Sequence, residues 1–495
     1  MSRIIDALQR HAASHPQKIA LQDETSTLTY GELLAEIKWL PSRLQACRPR
    51  AIAILADNGK AWALADLAAH MAGIPIIPLP LFFSNTQIVH VIKTAGIDLV
   101  LTDQPDRLRQ ALQQPDLPAE SFYGELQRVR LPVVAASSPS LPAATRKVTF
   151  TSGTTGEPKG VCLGRERMEA VAESLGIASG ASRDDRHLCL LPLATLLENI
   201  GGIYAPLLAG ATICLPRLAT VGLSGSSGLD VGRLIAALID WRASTAIMVP
   251  QMLQAVVKAG QAGAALPRTL RYLAVGGAPV SSQLLEDAQA LGLPVHEGYG
   301  LSECASVVAV NRPGEVRSGS VGKPLPHIRI DFADDGEILI RGTHWQGYLG
   351  EDASAQTLDC IATGDLGYLD AEGFLFLTGR KKNLFITSFG RNVAPEWVEG
   401  ELASHPGIAQ AAIFGEARPF NCAVIVPYPG TSHDAIDAAL GQANRRLPDY
   451  AQVRSWISAT EPFTPDNGMS TANGRLRRTA IFSQYAAQID SLYQP

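Results

Sequence analysis

The sequence predicts an alternating α/β fold with a β-rich subdomain and a small α+β C-terminal unit. Three observations carry the prediction. Short apolar runs alternate with helix-length segments from residue 51 to 103, and the same rhythm returns between about 186 and 310. In addition, 44 glycines and 32 prolines are spread along the 495 residues instead of standing in blocks, as many turns between short elements require.

Taken in order, MSRIIDALQRHAASHP places Asp6 and Arg10 inside an apolar segment and reads as an amphipathic helix, not a signal peptide. AIAILA is a buried strand, Lys60 to Met71 a helix, IPIIPL a strand, Thr86 to Ala95 a helix ending at Gly96, and DLVLTD a strand. This βαβαβ order implies parallel strands covered by helices on both faces. HLCLLP, a helix from Leu196, ATICLP, a helix from Leu229 to Arg242, STAIMVP and YLAVGGAP repeat the order, so the first two-thirds reads as two doubly wound α/β layers. IRIDFA, GEILIRG and GFLFLTGR, separated by Gly and Asp turns, are the β-rich part. Beyond Arg380, a helix from Ala394 to Leu402 and the strand AQAAIFG suit a small α+β unit. TVGLSGSSGLD, 220 to 230, reads as a Ser/Gly-rich surface insertion without evident chemistry.

Composition excludes several classes. With 42 basic against 47 acidic side chains, the formal charge of -5 argues against a nucleic-acid partner. Seven scattered cysteines without metal-ligand spacing read as reduced thiols of a cytoplasmic protein. The uncharged stretches 67–92 and 199–216 contain prolines, glycines and polar residues, so they read as buried elements and no transmembrane segment is expected.

The densest chemical signal is TFTSGTTGEPKGV, 149 to 161. A strand leads into small and hydroxylated residues (Thr151, Ser152, Gly153, Thr154, Thr155, Gly156) whose backbone N–H groups can approach phosphate oxygens, and Lys159 adds positive charge. Pro158 precedes Lys159 and no Ser or Thr follows it, so this is a phosphate loop but not that of a P-loop NTPase.

The same segment resembles the adenylate-forming superfamily that includes acyl-CoA synthetases, firefly luciferase and the adenylation domains of peptide synthetases; among these the long-chain acyl-CoA synthetases look closest. GGAP (276 to 279), GYGLSE (298 to 303) and TGDLGYLDAEGFLFLTGRKKNLF (363 to 385) follow in that family's order, so the resemblance covers nearly the whole chain. It implies a large adenylation domain, 1–380, whose β-rich part is a distorted barrel. A mobile C-terminal domain, 381–495, would be hinged near 380–382.

It also implies site residues. Gly277, Ala278 and Pro279 look like the adenine-binding turn. Tyr299 offers a ring for the base, beside Gly300; Ser302 can bond the α-phosphate, and Glu303 can ligate Mg²⁺ through a hard oxygen. Asp365 can accept from both ribose hydroxyls, with Arg380 completing the clamp. Lys382 falls at the pivot, and Gly390, in SFGRNVAP, lies on what looks like the thioester-forming loop. ATP, Mg²⁺ and a thiol acceptor, either coenzyme A or the phosphopantetheine of an acyl carrier protein, are the implied cofactors and partners.

Two departures stand out. Relatives place a lysine in the last loop, toward the reacting carboxylate; here NGRLRR puts Arg475 there, and no lysine follows Lys382. Many fatty-acid-activating relatives carry His where LPLATLLEN has Thr195. Glu198, in the same motif, reads as a solvated or capping carboxylate. The expected acyl-pocket walls (Thr195, Leu196, Ile200, Gly201, Tyr204, Ala274, Val275, Gly276, Ala305, Ser306) are small or apolar and suit an uncharged acyl chain. The resemblance thus implies activation of a medium- or long-chain fatty acid as acyl-AMP, with pyrophosphate release and transfer to coenzyme A. An aryl-CoA ligase, an acyl-AMP ligase loading a carrier protein and a non-catalytic ATP-binding scaffold are the alternatives. Transient membrane contact to collect a fatty acid stays compatible with the sequence.

Overall fold

The computed structural model describes residues 2–132, 141–151, 158–225, 228–342, 346–350, 360–405, 407–471 and 474–494. The helix–strand alternation up to residue 310 becomes two mixed sheets. The first runs, strand beside strand, Glu120–Tyr123, Leu126–Arg130, Leu99–Thr102, Ile52–Leu55, Ile76–Pro78, Thr145–Thr151 and Lys159–Gly164. The second runs Lys323–Pro324, Ala309–Val310, Val295–Tyr299, Tyr272–Val275, Thr245–Met248, Arg186–Leu188, Thr212–Cys214, Ile19–Gln22 and Thr27–Thr29. The central pairs of both sheets are parallel and the outer pairs antiparallel.

Local chemistry sets these elements. Helix Asn85–Ala95 starts at a Ser84/Gln87 capping box and stops at Gly96 in the left-handed region. Helix Lys60–Ala72 is buried from Ala61 to His70, as an element enclosed by packing on all sides must be. Its buried Asp66 and His70 are therefore paired. Asp66 meets Lys147 at 2.7 Å and accepts from Tyr204 Oη at 2.7 Å and Asn199 Nδ2 at 3.1 Å. His70 pairs with Glu169 at 2.8 Å, and Glu169 also accepts from the Arg3 amide at 2.9 Å, tying the first helix, Arg3–Ser14, to the core.

The β-rich part is an antiparallel sheet, Arg329–Phe332, Glu337–Arg341, Cys360–Leu369 and Leu375–Arg380, with register shifts at 337/339 and 366/367 that bend it. The smaller C-terminal domain packs the strands Ile408–Phe414, Asn421–Pro427 and Val453–Ser458 against helices Pro395–Ala403, His433–Asn444 and Arg478–Ser491. None of the described cysteines is disulfide-bonded, and six of the seven are buried. No described helix is long and apolar enough to cross a membrane.

Two local readings need correction. The helix expected from Leu229 begins at Val231, because the Asp230 carboxylate caps it by accepting from the Arg233 amide. The helix expected from Leu196 is α only to Glu198; Asn199–Tyr204 is a π-turn, and α geometry resumes at Ala205–Ala209.

Candidate active site

The parallel strands Thr245–Met248 and Tyr272–Val275 point their carboxyl ends into one cleft of about 3780 Å³, the place where open α/β sheets bind ligands. Gly276, Gly277, Ala278 and Pro279 follow the second strand along its wall. Gly277 has φ +89°, and a Cβ on Gly300 would lie 1.6 Å from the Ser306 carbonyl, so both turns demand glycine.

The hairpin Thr145–Thr151/Lys159–Gly164 pairs Thr151 with Lys159 at its loop end, and both line the cleft. Ser152, Gly153, Thr154, Thr155 and Gly156 lie outside the described residues. Lys159 Nζ stands 5.4 Å from the ring of Tyr348, whose hydroxyl donates to Glu303 Oε1 at 2.7 Å. Tyr348, bridged to Val161 on the same hairpin, was not singled out in the sequence; its GYLG context carries no polar signature.

Tyr299 Oη donates to Asp365 Oδ2 at 2.7 Å, and Arg380 Nε meets Asp365 Oδ1 at 2.7 Å across the strand pair that joins them. Asp365 is 5% exposed, so the group is a built feature of the cleft wall, not a surface ion pair. Burial and the neighbouring carboxylate push the Tyr299 hydroxyl well above its usual range. Ser302 and Glu303 share a 3₁₀ turn directly after this strand.

The C-terminal domain brings one loop into the cleft and keeps another out. Gly474 is close enough that an added Cβ would lie 3.2 Å from the Gln251 side-chain amide, and Arg475 lines the cleft beside Arg380, Asp365, Glu303 and Glu396. Its guanidinium is open to the cleft's solvent yet surrounded by protein; that enclosure and Arg380 pull its pKa down, against the three carboxylates. Lys382 also lines the cleft, its ammonium lowered by burial and then by Arg380 and Arg475. Gly390 and Phe389, the latter 75% exposed, do not line it. The domain is fastened by Gln254 donating to the Ala403 carbonyl at 2.8 Å, Arg446 pairing with Glu286 at 3.4 Å, and Lys258 lying 3.7 Å from the ring of Tyr428.

Apolar and small residues line the same cleft. Thr195, Leu196, Gly201, Ala274, Val275, Gly276 and Ser306, expected as acyl-pocket walls, are among them. Ile200 and Tyr204 are not. Residues 196, 200 and 204 share a face only in an α-helix; the π-turn changes the pitch, so Gly201 and Ala205 reach the cleft while Ile200 and Tyr204 turn into the core. Ala305, in the left-handed region with φ 56°, is likewise completely buried. Glu198 is not solvated: wholly buried, it accepts from the Leu191 amide at 2.9 Å and pairs with His187 at 3.0 Å, whose other ring nitrogen meets Thr245 Oγ1 at 2.9 Å. It braces the π-turn, and Gly202 makes room, since a Cβ there would lie 2.2 Å from Glu198 Oε1.

These features match known proteins along both domains. Residues 8–349 fit the family model described as AMP-binding enzyme, and residues 382–495 that of the AMP-binding enzyme C-terminal domain. The chain belongs to the AMP-binding enzyme family. This AMP-binding enzyme is 31% identical over 412 residues to long-chain-fatty-acid–CoA ligase FadD15 of Mycobacterium bovis, across 70% of this chain and 68% of that one. It is 28% identical over 432 residues to 2-succinylbenzoate–CoA ligase of Bacillus subtilis, across 82% and 84% of the two. In fold it is similar to the crystal structure of the anthranilate CoA ligase AuaEII in complex with anthranoyl-AMP, with TM-score 0.82 and 19% identity over 99% of this chain and 98% of that one.

One further group of the AMP-binding enzyme's cleft escaped the sequence. Glu297, two residues before Tyr299, lines the wall at 7% exposure, and burial pushes its carboxyl group up to about 8. The folded protein then keeps a proton that the unfolded chain releases near 4.5, so this contribution to stability is whole below 4.5 and is lost as pH rises through 8. Between those values stability is expected to fall by about 1.4 kcal/mol per pH unit on account of this group. Glu297→Gln should flatten the slope by one proton in denaturant titrations across pH; an unchanged slope shows the carboxyl ionised in the fold.

Proposed function

We propose that this AMP-binding enzyme joins an uncharged, apolar carboxylic acid to the thiol of coenzyme A in two steps, through an acyl-adenylate. The observation that carries the reading is that Lys159, Glu303, the Tyr299–Asp365–Arg380 group and Arg475 line one cleft whose lining also includes apolar side chains. Relatives named as coenzyme A ligases support the same chemistry.

In the first step the acid's carboxylate attacks the α-phosphorus of ATP and pyrophosphate leaves. The ring of Tyr299 and the Gly276–Pro279 turn receive the base, while Asp365 retains lone pairs for the ribose hydroxyls beyond those used by Tyr299 and Arg380. Thr151 and Ser302 donate to phosphate, and Lys159 and Arg475 oppose the charge that builds on its oxygens. The Glu303 carboxylate, a hard oxygen ligand on the cleft wall, fits Mg²⁺, which supplies charge neutralisation on the departing phosphates. In the second step the thiol sulfur attacks the acyl carbonyl and AMP leaves as a stable anion, so no catalytic triad is needed. The cleft holds Arg475 and leaves Gly390 outside, an arrangement suited to the first step; the second then needs the domain 381–495 to turn about Lys382 and bring the Gly390 loop inward.

The apolar part of the lining supports a medium- or long-chain fatty acid. Phe82, Leu191, Leu197, Ile247 and Ala274 offer hydrocarbon surface to an uncharged tail. Mass spectrometry of products from MgATP with short, medium, long and aryl acids, with and without coenzyme A, tests the reading. Acyl-CoA from an aliphatic acid is the expected product. Acyl-AMP that accumulates despite coenzyme A points to a carrier protein as acceptor, and ATP binding without product from any acid overturns the ligase reading.

A further inference from the structure

The segment 220–230, which the sequence offers as a surface insertion, lines the cleft with its described residues Leu223, Ser224, Gly225, Gly228 and Leu229, as do Leu218 and Ala219 before it. Leu223–Ser224 and Gly228–Leu229 pair as a short antiparallel hairpin. Its neck is closed by hydrogen bonds from the Asp230 amide to the Gly222 carbonyl at 2.8 Å and from the Leu223 amide to the Leu218 carbonyl at 2.9 Å. Gly222 has φ +84°, and a Cβ there would lie 2.3 Å from the Asp230 carbonyl, so the neck closes only with glycine. The base is held from two other elements. Glu24 accepts from the Arg217 amide at 2.7 Å and the Thr220 hydroxyl at 2.8 Å, and Asp57 accepts from the Leu218 amide at 3.2 Å.

The hairpin's apolar side chains turn inward. Leu223 and Leu229 face each other across the pair, pack beside the core cluster that contains Leu191 and Val221, and with Leu218 line the cleft that Phe82 and Leu197 also line. None of the large apolar side chains exposed to solvent falls in this segment, so it is shaped for the cleft and not for a membrane. We propose that the hairpin is the outer wall of the acyl site, and that Leu218, Leu223 and Leu229 cover the far part of the acid's hydrocarbon tail and set which tails are accepted. The proposal rests on the ligase reading above. It makes the tail's outer methylenes worth about fourfold each in kcat/KM where the leucines cover them.

The test is an internal competition: one short and one long saturated acid in the same tube with MgATP and coenzyme A, read as the ratio of the two acyl-CoA products. The ratio equals the ratio of kcat/KM values, so a loss of folded protein cancels. Leu223→Ala/Leu229→Ala is expected to lower the long-to-short ratio about tenfold, and Leu223→Trp, which narrows the acyl site, to shift it further toward the short acid. A ratio within twofold of the unmodified protein in both variants overturns the hairpin's role while leaving the ligase reading intact, as does unmodified protein that turns over aryl acids and no aliphatic one. If it makes no thioester from any acid, the ligase reading falls and the proposal with it.

Discussion

Arg475→Ala is expected to slow acyl-adenylate formation by about 10²- to 10³-fold, the cost of removing one preorganised group that opposes developing charge. Conversion of supplied acyl-adenylate to the thioester should be nearly unaffected. The split follows from where the loop sits. Gly474 abuts Gln251 and Arg475 stands among Glu303, Asp365, Arg380 and Glu396, so the guanidinium is placed for the proposed first step, and the proposed turn of the domain would withdraw it before the second. Arginine offers a planar fork where a lysine would offer a point charge, and Arg475→Lys should recover part of the rate if charge matters more than fork geometry. Pyrophosphate release measures the first step, and thiol consumption from synthetic acyl-adenylate the second. Equal losses in both would show Arg475 to be a general structural residue.

Lys147→Met should destabilise the protein by about 3–5 kcal/mol, because it leaves the Asp66 carboxylate buried without its cation. Lys147 is fully enclosed, and burial pulls its pKa down against the pull of Asp66; Tyr204 and Asn199 complete the network at hydrogen-bond distance. Removing both charges, as Lys147→Met/Asp66→Leu, should recover a large share, since an apolar pair of similar volume avoids the desolvation cost. Denaturant titration of the two variants measures both terms. A single variant within 1 kcal/mol of the unmodified protein would mean that water reaches the pair. The effect should extend to the acid's KM, because Asn199 opens the π-turn after which Gly201 and Ala205 line the cleft.

Much of this was legible in the chain. The two α/β layers follow from apolar runs of strand length separated by capped helices, and Ile52–Leu55, Lys60–Ala72 and Leu99–Thr102 lie where that rhythm puts them. The nucleotide side is equally local: Tyr299 ends a strand three residues before the turn of Ser302 and Glu303, and a strand pair sets Asp365 beside Arg380. The expected acyl wall was legible only in part, because its geometry depends on a helical pitch that no side-chain pattern announces. Ile200 and Tyr204 have the α spacing of a pocket wall and face the core all the same. Glu198 looks like a surface carboxylate until His187, eleven positions earlier, and the Leu191 amide close on it. Tyr348, Glu297 and the 217–230 hairpin reach the site through tertiary contacts alone.

The π-turn has a consequence for how such a pocket can change. An α-helix alters the surface it presents by exchanging one side chain for another. Asn199–Tyr204 holds an extra residue in its turn, so removing a single residue there would wind the segment back to α pitch. That one deletion would rotate Gly201 and Ala205 off the wall and swing the bulk of positions 200 and 204 toward the substrate. Pocket bore in this enzyme is therefore stored in the count of residues as well as in their identity, and a lineage could retune it in one step by indel, without a substitution.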